Sequence, residues 1–255
     1  MTTWDPTQYL KFADHRLRPA IDLLQRIRAD EPASVYDLGC GAGNVTKLLA
    51  ERWPKARVTG IDSAMPMLEK ARASAPRIAF IQAELGAWTA PEPAGVIYSN
   101  AALHWLEGHE TLCQRLLQQL APGGALAIQM PRNHRAPSHT LMMEAAEAGP
   151  WKAKLAGVKG IRPVHEPETY YHVLAPHARQ LDIWECEYLQ VLEGANPVVE
   201  WTKGTGLRPF LDALDDAGKK GFLAAYAERI AAAYPPQPDG RTLFPFRRIF
   251  IVAER

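Results

Sequence analysis

The chain has 255 residues, 47% of them hydrophobic and 22% charged, with a formal net charge of +1. That length fits one large α/β domain carrying insertions, with enough apolar residues for a sizeable core. The balanced charge and the lack of any Lys/Arg-rich run exclude a phosphate-tracking stripe and a broad attraction to nucleic acid or membrane. Met1 to Asp14 is polar and aromatic, so neither a secretory leader nor a membrane span is expected. Cys40, Cys113 and Cys186 are far apart and odd in number. They give no disulfide framework and no zinc spacing, and they suit a reducing cytoplasm. The eight histidines are scattered, without a metal-ligand cluster.

Leu17 to Ile27 reads as an amphipathic helix, with Leu17, Ile21, Leu24 and Ile27 on one face. Ser34 to Leu38 is a first strand, followed by a helical pattern from Val45 to Trp53. Arg57 to Ile61 is a second strand. Pro66 suits the start of the next helix, which continues through Met67 to Ala73. Ile78 to Gln82 is a short third strand, and Gly95 to Ser99 a fourth, apolar enough to be buried on both faces. Thr111 to Leu120 is helical, and Pro122-Gly123-Gly124 turns the chain into a fifth strand, Ala125 to Met130. Such alternation predicts a doubly wound, parallel sheet. After Pro131 the texture changes to proline, histidine, basic and aromatic residues, with a helix over Leu141 to Ala148. Leu181 to Leu192 returns to strand character. Asn196 to Trp201 and Gly206 to Leu214 read as short helices, and Gly218 to Tyr234 as a longer one. Pro235 to Gly240 is a turn-rich connector, and Arg247 to Ala253 closes the chain as a strand.

The most informative stretch is Tyr36-Asp37-Leu38-Gly39-Cys40-Gly41-Ala42-Gly43-Asn44, at the turn from the first strand into a helix. An acidic residue leads three glycines at alternate positions, and a second acidic residue, Asp62, ends the second strand. This is a nucleotide site at the carboxyl edge of a parallel sheet. A dinucleotide fingerprint needs its third glycine three residues after the second. Gly43 follows Gly41 by only two, and Asn44 stands at the dinucleotide position. A P-loop would need a closing Gly-Lys-Ser/Thr, which is absent. The pattern resembles the S-adenosylmethionine (SAM) site of Rossmann-like class I methyltransferases. The resemblance implies that Asp37, Gly39, Gly41, Gly43 and Asn44 face the methionine part of SAM, and that Asp62 binds both ribose hydroxyls, for which a carboxylate has the acceptor capacity. It places Ser63 to Met67 along the adenine edge, although Met65 and Met67 read equally as helix core. Glu84 stands where an Asp more usually meets the adenine amino group. Trp88 either shields the pocket or is ordinary core. Asn100, at the end of the fourth strand, lies beside the methyl donor. The same resemblance implies a mostly parallel seven-stranded sheet whose last two strands form an antiparallel hairpin at its edge. It further implies a single methyltransferase domain over 1–255, with helical cap elements near 1–16, 132–176 and 194–240.

Three segments outside that site combine aromatics with cations: Trp4-Asp5-Pro6 with Tyr9, Phe12 and Arg18; Arg132-Asn133-His134; and Trp201 to Phe210, with Lys203 and Arg208. The planar fork of arginine pairs bidentately with carboxylate, so an acidic small molecule is the expected substrate. The N-terminal Trp-Asp-Pro-x-x-Tyr-Leu-x-Phe-Ala-Asp-x-Arg run resembles the trans-aconitate 2-methyltransferase family. So do Asn100-Ala101-Ala102-Leu103-His104-Trp105, the Gly204 to Phe210 run and Pro245-Phe246-x-Arg248. This resemblance implies a cytoplasmic enzyme that forms the monomethyl ester of trans-aconitate by direct transfer from SAM to one carboxylate. No metal is expected from the scattered histidines and cysteines, and no protein partner is evident. A carboxyl group with an ordinary pKa of about 4 is already ionised at neutral pH, so no general base and no catalytic residue are expected. Arg18, Arg132, His134, Lys203 and Arg208 are the candidates to grip the non-reacting carboxylates, with Tyr9, Tyr170 and Trp201 completing the pocket. His104 reads either as a substrate contact or as a residue behind it. Other readings stand beside this one: methylation of another carboxylate, such as a carrier-bound malonyl group, or a non-catalytic SAM-binding regulator. A nicotinamide dehydrogenase is disfavoured by the glycine spacing.

Overall fold

The structure, a computed structural model, describes residues 13–158 and 163–255. Seven strands form one sheet: β1 (Ser34–Leu38), β2 (Arg57–Asp62), β3 (Ala79–Gln82), β4 (Ala94–Asn100), β5 (Leu120–Pro131), β6 (Gln180–Leu192) and β7 (Thr242–Glu254). Their order is β3-β2-β1-β4-β5-β7-β6. β1 to β5 pair in parallel, and β7 runs antiparallel to β5. The chain reverses direction across the sheet at β1, with β2 on one side and β4 on the other. That makes the carboxyl end of β1 the switch point at which open α/β sheets bind ligands.

The contacts divide the chain into two compact units. The larger comprises Asp14–Pro131, Val164–Cys186 and Arg248–Arg255. Its helices are α1 (Ala13–Arg26), α2 (Asn44–Arg52), α3 (Met65–Ser74), α4 (His109–Gln118) and α7 (Pro167–Leu174). Alternation along the strands sorts its side chains. Tyr36, Leu38, Ile97, Ile128, Ile249 and Ile251 enter one apolar cluster with Leu112 and Leu116 of α4 and Leu174 of α7. The opposite face carries α1, whose Ala20 carbonyl accepts a hydrogen bond from the Tyr98 hydroxyl at 2.8 Å. The Arg52 guanidinium, at the end of α2, donates to the Leu24 and Ile27 carbonyls. It thereby satisfies acceptors that a helix C-terminus leaves open.

The second unit comprises Arg132–Pro163 and Glu187–Arg247 among the described residues. It holds α5 (Pro137–Ala148), α6 (Lys152–Leu155), α8 (Pro197–Lys203), α9 (Arg208–Asp212) and α10 (Asp216–Ala233). Its own core contains Trp151, Trp201, Phe210, Phe222, Tyr226 and Phe244. Asp215 caps α10 by accepting from the Gly218 N–H at 2.8 Å.

Two helices and two long strands exceed the sequence expectations. The α6 and α7 helices lie in the stretch of mixed texture after Pro131, and both are short. α7 groups with the sheet unit, although its residues fall within the span 132–176 expected to form the cap. β7 begins at Thr242 rather than Arg247, with Pro245 inside it. Pairing with β5 starts only at Arg248, so Pro245 lies outside that ladder. β5 starts at Leu120, because Leu120 pairs with Ala94 before an irregularity shifts the register.

Candidate functional site

The glycine turn is built on backbone conformations that other residues resist. Gly39, Gly41 and Gly43 have φ of 79°, 53° and 78°. A Cβ on Gly39 would lie 2.1 Å from the Ala102 Cβ, so the chain after β4 presses directly on the turn. The turn is tied to the end of β2, as the Gly39 and Cys40 N–H groups both donate to the Ile61 carbonyl, at 2.7 and 3.0 Å. Asp62 completes the tie. One of its carboxylate oxygens accepts from the Gly41 N–H at 2.9 Å and the other from the Ala64 N–H at 2.8 Å. Each oxygen keeps further acceptor capacity, and the residue is half-buried. Those are the properties that recognition of two neighbouring hydroxyls needs.

Asp37 is 2% exposed, and the Thr46 hydroxyl donates to it at 2.6 Å. Burial raises its carboxyl from 3.8 to about 7, with Thr46 opposing and nearby Asp62 adding to the rise. The folded protein therefore holds this proton more tightly than the unfolded chain. Cofactor-free protein is expected to lose stability as pH rises from about 4 through about 7. A cationic ligand at the turn favours the ionised form, so SAM affinity should fall as pH drops below about 7, up to roughly tenfold per unit. Calorimetric titrations between pH 5.5 and 8 check this, with Asp37→Asn as the comparison. If wild type and variant lose affinity in parallel, Asp37 is not the group that titrates.

After β4 the chain makes a strained turn. Ala101 has φ 53°, a left-handed value that costs a residue with a Cβ roughly 1–2 kcal/mol. Its N–H donates to the Gln129 carbonyl at 2.9 Å. The Ser99 hydroxyl donates to the Leu38 carbonyl at 2.8 Å, joining the ends of β4 and β1. Asn100 Oδ1 is buried and has no hydrogen-bond partner among the described residues. The short turn Leu103–Trp105 follows, with His104 buried and its ring 4.7 Å from that of Trp105. His109 holds this turn in place. Its Nε2 lies 3.1 Å from the Leu103 carbonyl, which can only accept, so Nε2 carries the proton. Nδ1 then accepts from the Tyr170 hydroxyl at 2.7 Å. Burial lowers the His109 pKa and keeps the ring neutral.

The remaining candidates are placed as follows. Asn44 opens α2 and is exposed. Ser63 is exposed, and its carbonyl is held by the Gln82 side-chain amide at 2.9 Å. Met67 is buried, with its methyl 3.3 Å from where a Cβ of Gly41 would stand, so it packs beneath the turn. Glu84 lies exposed in the bend after β3. Trp88 is core, its ring 5.1 Å from that of Tyr36. Tyr9 lies outside the described residues. Arg18 is exposed on α1, 4.0 Å from Asp22. Tyr170 is fully buried, with its hydroxyl engaged by His109. In the second unit, Arg132 and His134 are half-buried just after β5. Trp201 is a core residue against Phe244 and Phe246. Lys203 pairs with Glu200 at 2.5 Å, and Arg208 lies 3.8 Å from Asp212.

Sequence reasoning did not single out Thr46, His109, Gln129 or Arg248 as site residues. For Arg248 a signal existed, since it is one of two adjacent arginines in a mostly apolar closing strand.

A methyltransferase-domain family matches residues 35–124, the span from β1 to the start of β5. The chain is 54% identical to the trans-aconitate 2-methyltransferase of Azoarcus sp. (strain BH72) over 255 residues, covering 100% of both chains. It is 49% identical to that of Rhodopseudomonas palustris (strain BisB18), covering 99% of both. Among solved structures, the Bacillus subtilis YcgJ protein shares the fold with a TM-score of 0.61 at 13% identity, over 93% of this chain and 98% of that one. A Haemonchus contortus phosphoethanolamine N-methyltransferase, solved with S-adenosylhomocysteine, gives 0.56 at 14% identity, over 93% and 52%. Sheet order, glycine turn and the methyltransferase-domain match define a Rossmann-like methyltransferase that uses SAM. Within that class, the chain belongs to the trans-aconitate 2-methyltransferase family.

Proposed function

We propose that this protein methylates one carboxylate of trans-aconitate with SAM, forming the monomethyl ester. The observation that carries the reading is the 54% identity to a trans-aconitate 2-methyltransferase over the whole chain, since it extends through the second unit as well as the SAM-type turn.

The residues at the turn fit SAM. Three positive-φ glycines would bring bare backbone to the ligand, Asp62 is pre-oriented by two N–H donors, and Asn100 Oδ1 has no partner among the described residues. When bound, SAM supplies a methyl group on a positively charged sulfur. Asp37, Gly39, Gly41, Gly43, Asn44 and Asn100 would hold its methionine part, and Asp62, Ser63, Met67 and Glu84 its nucleoside. Buried Asp37 would favour the positive end electrostatically. A carboxylate is already ionised at neutral pH, so the chain's task is to orient and desolvate it rather than to remove a proton. Arg18, Arg132, His134, Lys203 and Arg208 are the proposed grips for the acid, with His104 near the reacting end. Tyr170 and Trp201 would act by packing. We read the chain as a single methyltransferase domain, with elements near 1–16, 132–176 and 194–240 serving the acid. Among the described residues no helix is long and apolar enough to cross a membrane. The free thiols Cys40, Cys113 and Cys186 support a cytoplasmic setting.

The test is incubation with SAM and trans-aconitate, beside citrate and cis-aconitate, followed by mass spectrometry. The expected product is a monomethyl ester from trans-aconitate, with one S-adenosylhomocysteine per ester. No ester from any acid, with SAM still bound, would overturn the reading.

A further inference from the structure

Buried polar groups gather beside the end of β4. Asn100 and Gln129 are register partners on β4 and β5, and on β7 Phe250 stands opposite Gln129 while Arg248 stands opposite Pro131. Residues two apart on a strand share a face. Asn100, Gln129 and Arg248 therefore share the face on which Tyr98 meets α1. Arg248 is 4% exposed, and its Nη1 lies 3.5 Å from Gln129 Oε1. A guanidinium only donates, so the amide oxygen must face it and the amide nitrogen must point elsewhere. That nitrogen is buried in a residue that is 0% exposed, and among the described residues it has no hydrogen-bond partner. An unsatisfied buried donor is costly, and an apolar residue at this position would avoid that cost. A group with two N–H bonds to give, shut away from water beside the methyl-donor edge, suits an anionic oxygen stripped of its hydration.

We propose that Gln129 donates from its amide nitrogen to a carboxylate of the acid, with Arg248 as the positioning residue that fixes the amide's orientation. This rests on the acid-methylating function proposed above.

The test uses the full-length protein saturated with S-adenosylhomocysteine and titrated calorimetrically with trans-aconitate, citrate and malonate. The variants are Gln129→Glu, which keeps an oxygen toward Arg248 but removes the donor, and Gln129→Leu. Both should bind S-adenosylhomocysteine within about threefold of wild type, which also establishes that they fold. The acid's dissociation constant should rise about tenfold or more in Gln129→Leu, and further in Gln129→Glu, where like charges meet. Arg248→Met should raise the acid's KM by a similar factor with kcat nearly unchanged, a split that general loosening would not give. Unchanged acid affinity in both Gln129 variants would overturn the inference. So would a loss confined to S-adenosylhomocysteine, which would assign Gln129 to the cofactor's own carboxylate. A wild type that binds none of the acids would overturn the underlying function, and this inference with it.

Discussion

Gly39→Ala is expected to abolish SAM binding, raising the dissociation constant by at least ~100-fold. Two effects add. The added Cβ would sit 2.1 Å from the Ala102 Cβ, and neither atom lies at the end of a flexible side chain. Relief would require the glycine turn and the segment after β4 to part. The φ of 79° also costs an alanine roughly 1–2 kcal/mol. Together with the clash, the loss of stability should reach about 2–4 kcal/mol. Gly108→Ala is the matched control. Gly108 has φ 66°, but a Cβ there meets nothing within 4 Å, so only the conformational cost applies and SAM affinity should hold. Calorimetry and denaturant titration on both variants check this. Near-normal SAM affinity in Gly39→Ala would mean that the turn does not meet the cofactor.

Asp62→Ala should raise the SAM dissociation constant by about 100-fold or more. The carboxylate does two things: it accepts from Gly41 and Ala64, and it offers its remaining lone pairs outward. Hydrogen bonds to a charged acceptor contribute roughly 1.5–3 kcal/mol each. Asp62→Asn retains one acceptor oxygen and should lose less. The melting midpoint should move by only a few degrees, because Asp62 is half-buried and water can take over the freed N–H groups. The acid's KM should change little once SAM is saturating. A change below tenfold in SAM affinity for Asp62→Ala would remove Asp62 from the ribose role.

The sheet half of the fold was legible because its signals are local. The expected β1, Ser34 to Leu38, matches the observed strand, and β2 and β4 differ by one or two residues. Apolar runs between turn residues suffice there. The left-handed turn at Gly39, Gly41 and Gly43 was legible because that backbone conformation writes itself into residue type. Thr46 was not, since a threonine nine residues after Asp37 has no distinctive signature, and only the winding of α2 against β1 brings its hydroxyl within 2.6 Å. Gln129 and Arg248 are 119 residues apart and meet through the β5–β7 register, which no local pattern encodes. Tyr170 read as a pocket aromatic because its neighbourhood was unassigned. The structure shows a helix there, and a hydroxyl spent on His109.

A competition among acids tests trans-aconitate methylation most directly. Trans-aconitate, cis-aconitate, citrate and a malonyl-loaded carrier protein are mixed at equal concentration with limiting SAM bearing a deuterated methyl group, and the labelled esters are counted by mass spectrometry. The ratio of products reports the ratio of kcat/KM values directly. Label is expected predominantly in a trans-aconitate monomethyl ester. Label predominantly on the carrier-bound acid, or spread evenly across the acids, would contradict that expectation.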